Sequence, residues 1–308
     1  MIDINASLDM PTPRPALATD MPDEILRFAT DQMLAGRKVA LAILVGIVGG
    51  SAKSVGAMMA VSEDGRYSGY VSGGCTESAV AAEALLAIAN GQDRRLRLGA
   101  GSKLFDIVLP CGGGLDIVIH VAAHVVDLLR VVHALSNRRQ VSLSYIAPGR
   151  LVLAESNGIK TGWTEAGFHL NLYPRSRLIV AGGSHELEAT VRVAKAAAMD
   201  VLILGPGQRP ERVIDQIDEA SAIALLYHDL DKEQPLLQLA LKSPAFYIGA
   251  LGSAKTHEKR LSRLGDLGFS GLDCSRIKAP IGLFPKAKDA QSLALSVVAD
   301  VAARRAEL

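Results

Sequence analysis

Apolar and polar positions follow two rhythms along this chain, one in each half. Ile25, Phe28 and Met33 recur among polar residues at helical spacing, which predicts a helix over residues 23–35, stopped by Gly36 in a left-handed conformation. Residues 39–48 are an unbroken apolar run that reads as a buried strand, far shorter than the roughly 20 residues a bilayer crossing needs. Residues 56–71 read as two strands joined at Asp64-Gly65, a dipeptide that favours hairpin turns. An Ala-rich helix over residues 76–90 closes at Gly91, and short strands follow at 105–109 and 115–121. Between 136 and 173 the pattern is one of short strands with turns at Pro148-Gly149 and Asn157-Gly158.

The second half alternates strand and helix: strand 178–180, helix 186–198, strand 201–204, helix 210–217, strand 222–226, a further strand at 246–248 and a closing helix over 289–304. Such alternation builds a doubly wound parallel sheet. The expected organisation is a flexible tail over residues 1–20, a mixed α/β domain over 21–174 and a Rossmann-like domain over 175–308, with the boundary at Arg175 to Arg177.

Composition sharpens this α/β reading. With 49% hydrophobic but only 4% aromatic residues in 308, the core is built from Ala, Val, Leu and Ile, the filling of sheets covered by helices. Lys and Arg (33) nearly balance Asp and Glu (32), so no surplus positive potential is available for nucleic acid or an anionic membrane surface. Three cysteines make no disulfide framework; they suggest free thiols in a reducing compartment and a cytoplasmic location.

Two glycine-rich junctions each hold one cysteine: Ser72-Gly73-Gly74-Cys75-Thr76-Glu77 and Pro110-Cys111-Gly112-Gly113-Gly114. Glycine permits positive φ and lets backbone N–H groups approach a ligand closely, as phosphate or pterin binding requires. Cys75 at a helix start is a candidate soft ligand or nucleophile. Two readings stay open on the residues alone: a ligand cradle, or two tight turns carrying small buried thiols.

The runs Gly49-Gly50-Ser51-Ala52-Lys53-Ser54-Val55-Gly56-Ala57, Asp64-Gly65-Arg66 and Val71-Ser72-Gly73-Gly74-Cys75-Thr76-Glu77 resemble the N-terminal signature of the XdhC/CoxI family. Leu98-Gly99-Ala100-Gly101-Ser102 and Leu109-Pro110-Cys111-Gly112-Gly113-Gly114-Leu115 resemble a second block of that family. Tyr227-His228-Asp229, Tyr247-Ile248-Gly249-Ala250-Leu251-Gly252-Ser253 and Ala279-Pro280-Ile281-Gly282-Leu283 are similar to its Rossmann domain. The resemblance implies an accessory protein that binds molybdenum cofactor, supports its sulfuration and delivers it to a molybdenum hydroxylase of the xanthine dehydrogenase family. A cysteine desulfurase is an implied further partner, and a homodimer the default assembly. The implied cofactor contacts are Lys53, Ser72, Gly73, Gly74, Cys75, Glu77, Cys111, Gly112, Gly113, Gly114, Gly182, Gly183 and His185, with Cys75 and Cys111 toward the metal.

This chain departs from the family pattern at Ala52-Lys53, where many relatives carry Pro-Arg; lysine attracts phosphate only as a point charge. After strand 178–180 it reads Ala181-Gly182-Gly183-Ser184-His185-Glu186, without the full Gly-x-Gly-x-x-Gly fingerprint and with an acid at the helix start, so NAD(P) binding is doubtful. His185 and His228 fall at strand ends, and Lys255, His257, Lys259 and Arg260 at a later strand-to-helix turn, as an anion site or a solvated face. Two rival functions remain: an NAD(P)-dependent oxidoreductase, and a scaffold between hydroxylase and desulfurase.

Overall fold

The computed structural model describes residues 10–100, 102, 112–146, 149–155, 158–183, 185–284 and 287–307. The strand expected at 105–109, and Cys111 with it, lie outside the described residues. The chain divides into two compact units between Pro174 and Arg175.

In the first unit, β1 (Arg14–Leu17), α1 (Pro22–Leu34), β2 (Val39–Val48), β3 (Met58–Ser62), β4 (Arg66–Gly69), α2 (Glu77–Asn90), β5 (Arg94–Gly99) and β6 (Gly114–Val121) follow in order. Their strands make one mixed sheet in the order β1-β4-β3-β2-β6-β5. Helix α3 (Val125–Ser136) then leads into β7 (Val141–Ile146), β8 (Arg150–Glu155), β9 (Gly162–Thr164) and β10 (Gly167–Leu172), an antiparallel sheet ordered β8-β7-β10-β9.

Strand β2 explains its own sequence. Val39, Leu41, Ile43 and Val45 pack into a core with Ile25 and Leu26 of α1, Leu128 of α3, and Leu143 and Phe168 of the second sheet. Ala40, Ala42 and Leu44 point the other way, against Val80, Ala84 and Leu85 of α2. A strand covered on both faces has no polar side to show, so its apolar run is unbroken.

The hairpin forms as expected: Val61 pairs with Tyr67, and Gly65 takes φ +83° at the turn. The tail differs from expectation, because Arg14–Leu17 joins the sheet parallel to β4, with the Arg14 N–H donating to the Gly65 carbonyl at 2.9 Å. Its four side chains are exposed, so backbone pairing alone recruits it and no apolar pattern announces it. Strand β5 is equally lacking in an apolar run: Arg95 and Arg97 face outward, while Arg94, on the face of buried Leu96 and Leu98, pairs with Glu83 of α2 at 2.7 Å.

The second unit contains β11 (Arg177–Gly182), α4 (His185–Ala196), β12 (Asp200–Leu204), α5 (Glu211–Ile214), β13 (Ser221–Leu226), α6 (Leu230–Lys242), β14 (Tyr247–Ala250), α7 (Ala254–Asp266), α8 (Gly271–Cys274), β15 (Ile277–Lys278) and α9 (Ala290–Ala306). All its strands run parallel in the order β12-β11-β13-β14-β15, the Rossmann-like doubly wound sheet that the alternation called for. Ile179, Ala181, Ile223 and Leu225 pack under Leu236 and Leu237 of α6, while Leu178, Val180, Ala222 and Ala224 pack under α4 and α9. The order of strands reverses between β11 and β13, and that crevice is where ligands settle in open parallel sheets. No helix among the described residues is long and apolar enough to cross a membrane.

Trp163, the chain's single tryptophan, stands edge-on to buried Phe168 at 5.5 Å and reports on the first unit alone. Leu41→Ala, which hollows the fully buried centre of β2, is expected to destabilise this unit by about 2–5 kcal/mol. Urea titration followed by Trp163 fluorescence measures it.

Candidate functional site

The junction between β4 and α2 turns on Glu77, the first residue of the helix, which is only 2% exposed. Its Oε1 accepts hydrogen bonds from the N–H groups of Val71 (3.1 Å), Ser72 (2.8 Å) and Gly73 (3.3 Å), and Oε2 from those of Gly74 (2.9 Å) and Thr76 (3.2 Å). The Ser72 hydroxyl lies 2.9 Å from both oxygens. Converging so many N–H groups on one carboxylate needs an abnormal backbone, and Gly74 supplies it at φ +106°.

Burial works to raise the Glu77 carboxyl, yet the hydrogen bonds from the Ser72 N–H and hydroxyl, and from Gly73, outweigh it and hold the group below its ordinary value. The donors that sequence reasoning assigned to a pterin phosphate are therefore engaged by the chain's own carboxylate. Glu77 itself faces inward to this loop, as an ionised carboxylate so deeply buried must be surrounded by donors. Cys75, flanked by two of those donors, is exposed with a free thiol.

A second set of contacts joins the glycine-rich segments. A Cβ on Gly113 would collide with the Gly50 carbonyl oxygen and stand 2.9 Å from that of Val48, and one on Gly114 would stand 2.6 Å from the Ala100 carbonyl oxygen. The Ala100 N–H donates to the Gly113 carbonyl at 3.0 Å. On the other side, a Cβ on Gly73 would stand 3.1 Å from the Ala52 Cβ. The segment around Gly49 to Lys53 is thus bordered by both the Ser72–Cys75 turn and the Gly112–Gly114 turn, which brings two distant stretches of sequence to one place. Cys111 lies outside the described residues.

Lys53 has partners within the chain. Its ammonium forms an ion pair with Asp20 at 2.5 Å and lies 5.7 Å from the centre of the Tyr70 ring. Asp20 stood in the expected tail, so no local signal could have named it as the partner.

In the second unit, Gly182 and Gly183 serve close packing. A Cβ on Gly182 would meet the Leu226 carbonyl oxygen at 2.5 Å, and one on Gly183 the Pro206 side chain at 3.1 Å. Glu186 and Glu188 occupy the first turn of α4, where a dinucleotide pyrophosphate would bring further negative charge. Glu186 draws two histidines together: His185 Nδ1 and His228 Nε2 each lie 3.6 Å from its carboxylate. These three residues, with Ser253, Phe284 and Lys288, line a cavity of about 580 Å³ at the strand-order reversal. Sequence reasoning placed His185 and His228 at strand ends but found neither their shared partner nor the wall supplied by Phe284 and Lys288.

Arg260 is not part of an anion site. Its guanidinium, 2% exposed, grips the Glu233 carboxylate with both arms and also donates to the Leu251 carbonyl at 2.8 Å, tying α7 to α6 and to the end of β14. Burial, and then the Arg260 charge, push the neighbouring His257 imidazole below its usual value. Among the described residues, no group of three His, Cys, Asp or Glu is placed to hold a metal ion.

Residues 33–99 match the XdhC and CoxI family, and residues 178–301 match the XdhC Rossmann domain. The molybdenum cofactor insertion chaperone PaoD of Escherichia coli (strain K12) is 44% identical over 293 residues, spanning 95% of this chain and 92% of that protein. A crystal structure of a xanthine dehydrogenase from Bacillus halodurans is similar in fold, with a TM-score of 0.72 at 19% identity over 93% of this chain and 96% of that one.

Two outcomes follow from these contacts. Because the Glu77 carboxyl is held below its ordinary value of 4.5, its stabilisation is complete above that pH and is lost as pH falls further, through the folded-state value. Acid titration of Trp163 fluorescence should show this loss in the native chain and its attenuation in Glu77→Gln. Arg260→Leu leaves Glu233 buried without its cation, and calorimetry should find the second unit destabilised by about 3–5 kcal/mol.

Proposed function

The chain belongs to the XdhC and CoxI family, and on that premise we propose that it carries molybdenum cofactor as cargo and supports its sulfuration and insertion into a xanthine-dehydrogenase-like molybdenum hydroxylase. The observation that carries this reading is the meeting of the Ser72–Cys75 and Gly112–Gly114 turns on one segment, with the Cys75 thiol exposed beside it. A soft sulfur donor suits the molybdenum and dithiolene end of such a cargo, and binding through few side-chain ligands allows the release that a delivery protein needs. The relative PaoD, similar over nearly the whole chain, is itself named for insertion of molybdenum cofactor.

In this reading Cys75 and Cys111 stand toward the metal, and the glycines around them let the cargo approach the main chain. The phosphate of the cargo has to find its counter-charge outside the Ser72–Thr76 loop, whose N–H groups Glu77 engages. Displacement of Asp20 would release Lys53 for that task. The protein works in the cytoplasm as a homodimer, receives sulfur from a cysteine desulfurase and hands the finished cofactor to the hydroxylase. Glu186 and Glu188 at the start of α4 weigh against a nicotinamide-dependent oxidoreductase.

Protein purified from cells that make the cofactor should carry molybdenum and pterin in equal amounts. Occupancy should fall by about tenfold or more in Cys75→Ala and in Cys111→Ala. Unchanged occupancy in both variants would take the thiols out of the site. Tight, saturable binding of NADH or NADPH by a native protein devoid of molybdenum and pterin would overturn the carrier reading altogether.

A further inference from the structure

We propose that Glu77 is the positioning residue of the site, whose carboxylate fixes the Ser72–Thr76 loop so that Cys75 is presented at one defined place. The inference rests on the carrier reading for the purpose of Cys75, but the clasp itself is a matter of geometry. Five main-chain N–H groups and one hydroxyl, drawn from residues on both sides of Cys75, end on a single carboxylate that is 2% exposed. Gly74 N–H and Thr76 N–H, the two immediate neighbours of the cysteine, both bond to the same Oε2. Glu77 is in turn fixed as the first residue of a 14-residue helix whose Val80, Ala84 and Leu85 are buried in the core under β2. The chain of constraint runs from the packed helix, through one carboxylate, to the loop that carries the thiol.

Charge-assisted bonds of this kind are about twice as strong as neutral ones. A short loop held by several of them loses the backbone freedom that its glycines would otherwise give it. Two consequences follow. The thiol meets its cargo without a large ordering cost at the moment of binding. The loop is also already occupied as an anion site, so it selects cargo through sulfur and not through a phosphate held by its main chain.

The test uses the full-length chain with Cys111→Ala and Cys274→Ala, leaving Cys75 as the single thiol for a nitroxide label. The spin-label spectrum is expected to show restricted motion in this parent chain. Fast motion should appear in Glu77→Gln, which replaces one acceptor oxygen by a donor facing other donors, with partial recovery in Glu77→Asp. Ser72→Ala removes only the hydroxyl contact and serves where Glu77→Gln fails to fold; it should give an intermediate spectrum. Titration with inorganic phosphate should leave the Gly73 and Gly74 amide resonances of the native chain in place.

Unchanged label motion in the folded variants overturns the positioning role. Movement of the Gly73 and Gly74 resonances with phosphate overturns the claim that the anion site is already filled. Both readouts are made without molybdenum cofactor, so they stand whether or not the native protein is found to carry it. If the carrier reading is right as well, unlabelled Glu77→Gln with its cysteines intact should lose molybdenum and pterin together.

Discussion

An ionised carboxylate can be kept away from water only where donors replace the water it gives up. At Glu77 that requirement shapes the local structure from several directions. It draws Val71, Ser72, Gly73, Gly74 and Thr76 into a ring of donors. It asks for glycine where the chain turns through positive φ. It also leaves Cys75 outward, because the main chain on both sides of it faces in. The exposed thiol and the buried acid are two sides of one loop.

The loop would have nothing to act against without the sheet beneath it. Strand β2 is buried on both faces, and its far end runs directly into Gly49 and Gly50, where Val48 pairs with Gly114. Backbone there lies against backbone: a methyl group on Gly113 or Gly114 would overlap a carbonyl oxygen of a neighbouring segment. The glycines of these turns therefore do two jobs. Gly113 and Gly114 are small so that segments can touch, whereas Gly74 is flexible so that N–H groups can converge.

The second unit also places acidic side chains at a strand-to-helix junction. Acidic side chains occupy the first turn of α4, and Glu186 gathers His185 and His228 at the reversal of strand order. In both units a strand, a glycine-containing turn and a helix make a junction suited to an external anion, and in both the first turn of the helix carries a glutamate of the chain itself. A parallel sheet with this strand order does not specify its ligand; the residues at the strand ends do.

Much of the fold could be read from the sequence, because periodicity and turn chemistry are local. Residues 39–48 pointed to a buried strand, Asp64-Gly65 to the hairpin that follows it, Gly36 and Gly91 to the ends of helices, and the alternation after residue 178 to a parallel sheet. Ser72 to Glu77 could also be singled out as a place where chemistry is concentrated. What escaped notice lacked a local signature: β1 pairs through its backbone alone, Asp20 meets Lys53 across a gap in sequence, and Arg260 finds Glu233 on another helix. The direction of the loop donors was undecidable for the same reason. Whether an N–H turns toward a ligand or toward Glu77 depends on where a packed helix puts one carboxylate, and that is fixed only when the core has formed. The amino-acid sequence by itself determined most of the regular elements and the family; the tertiary structure alone decided which residues face each other, because a buried charge or donor needs a partner that often lies far along the chain.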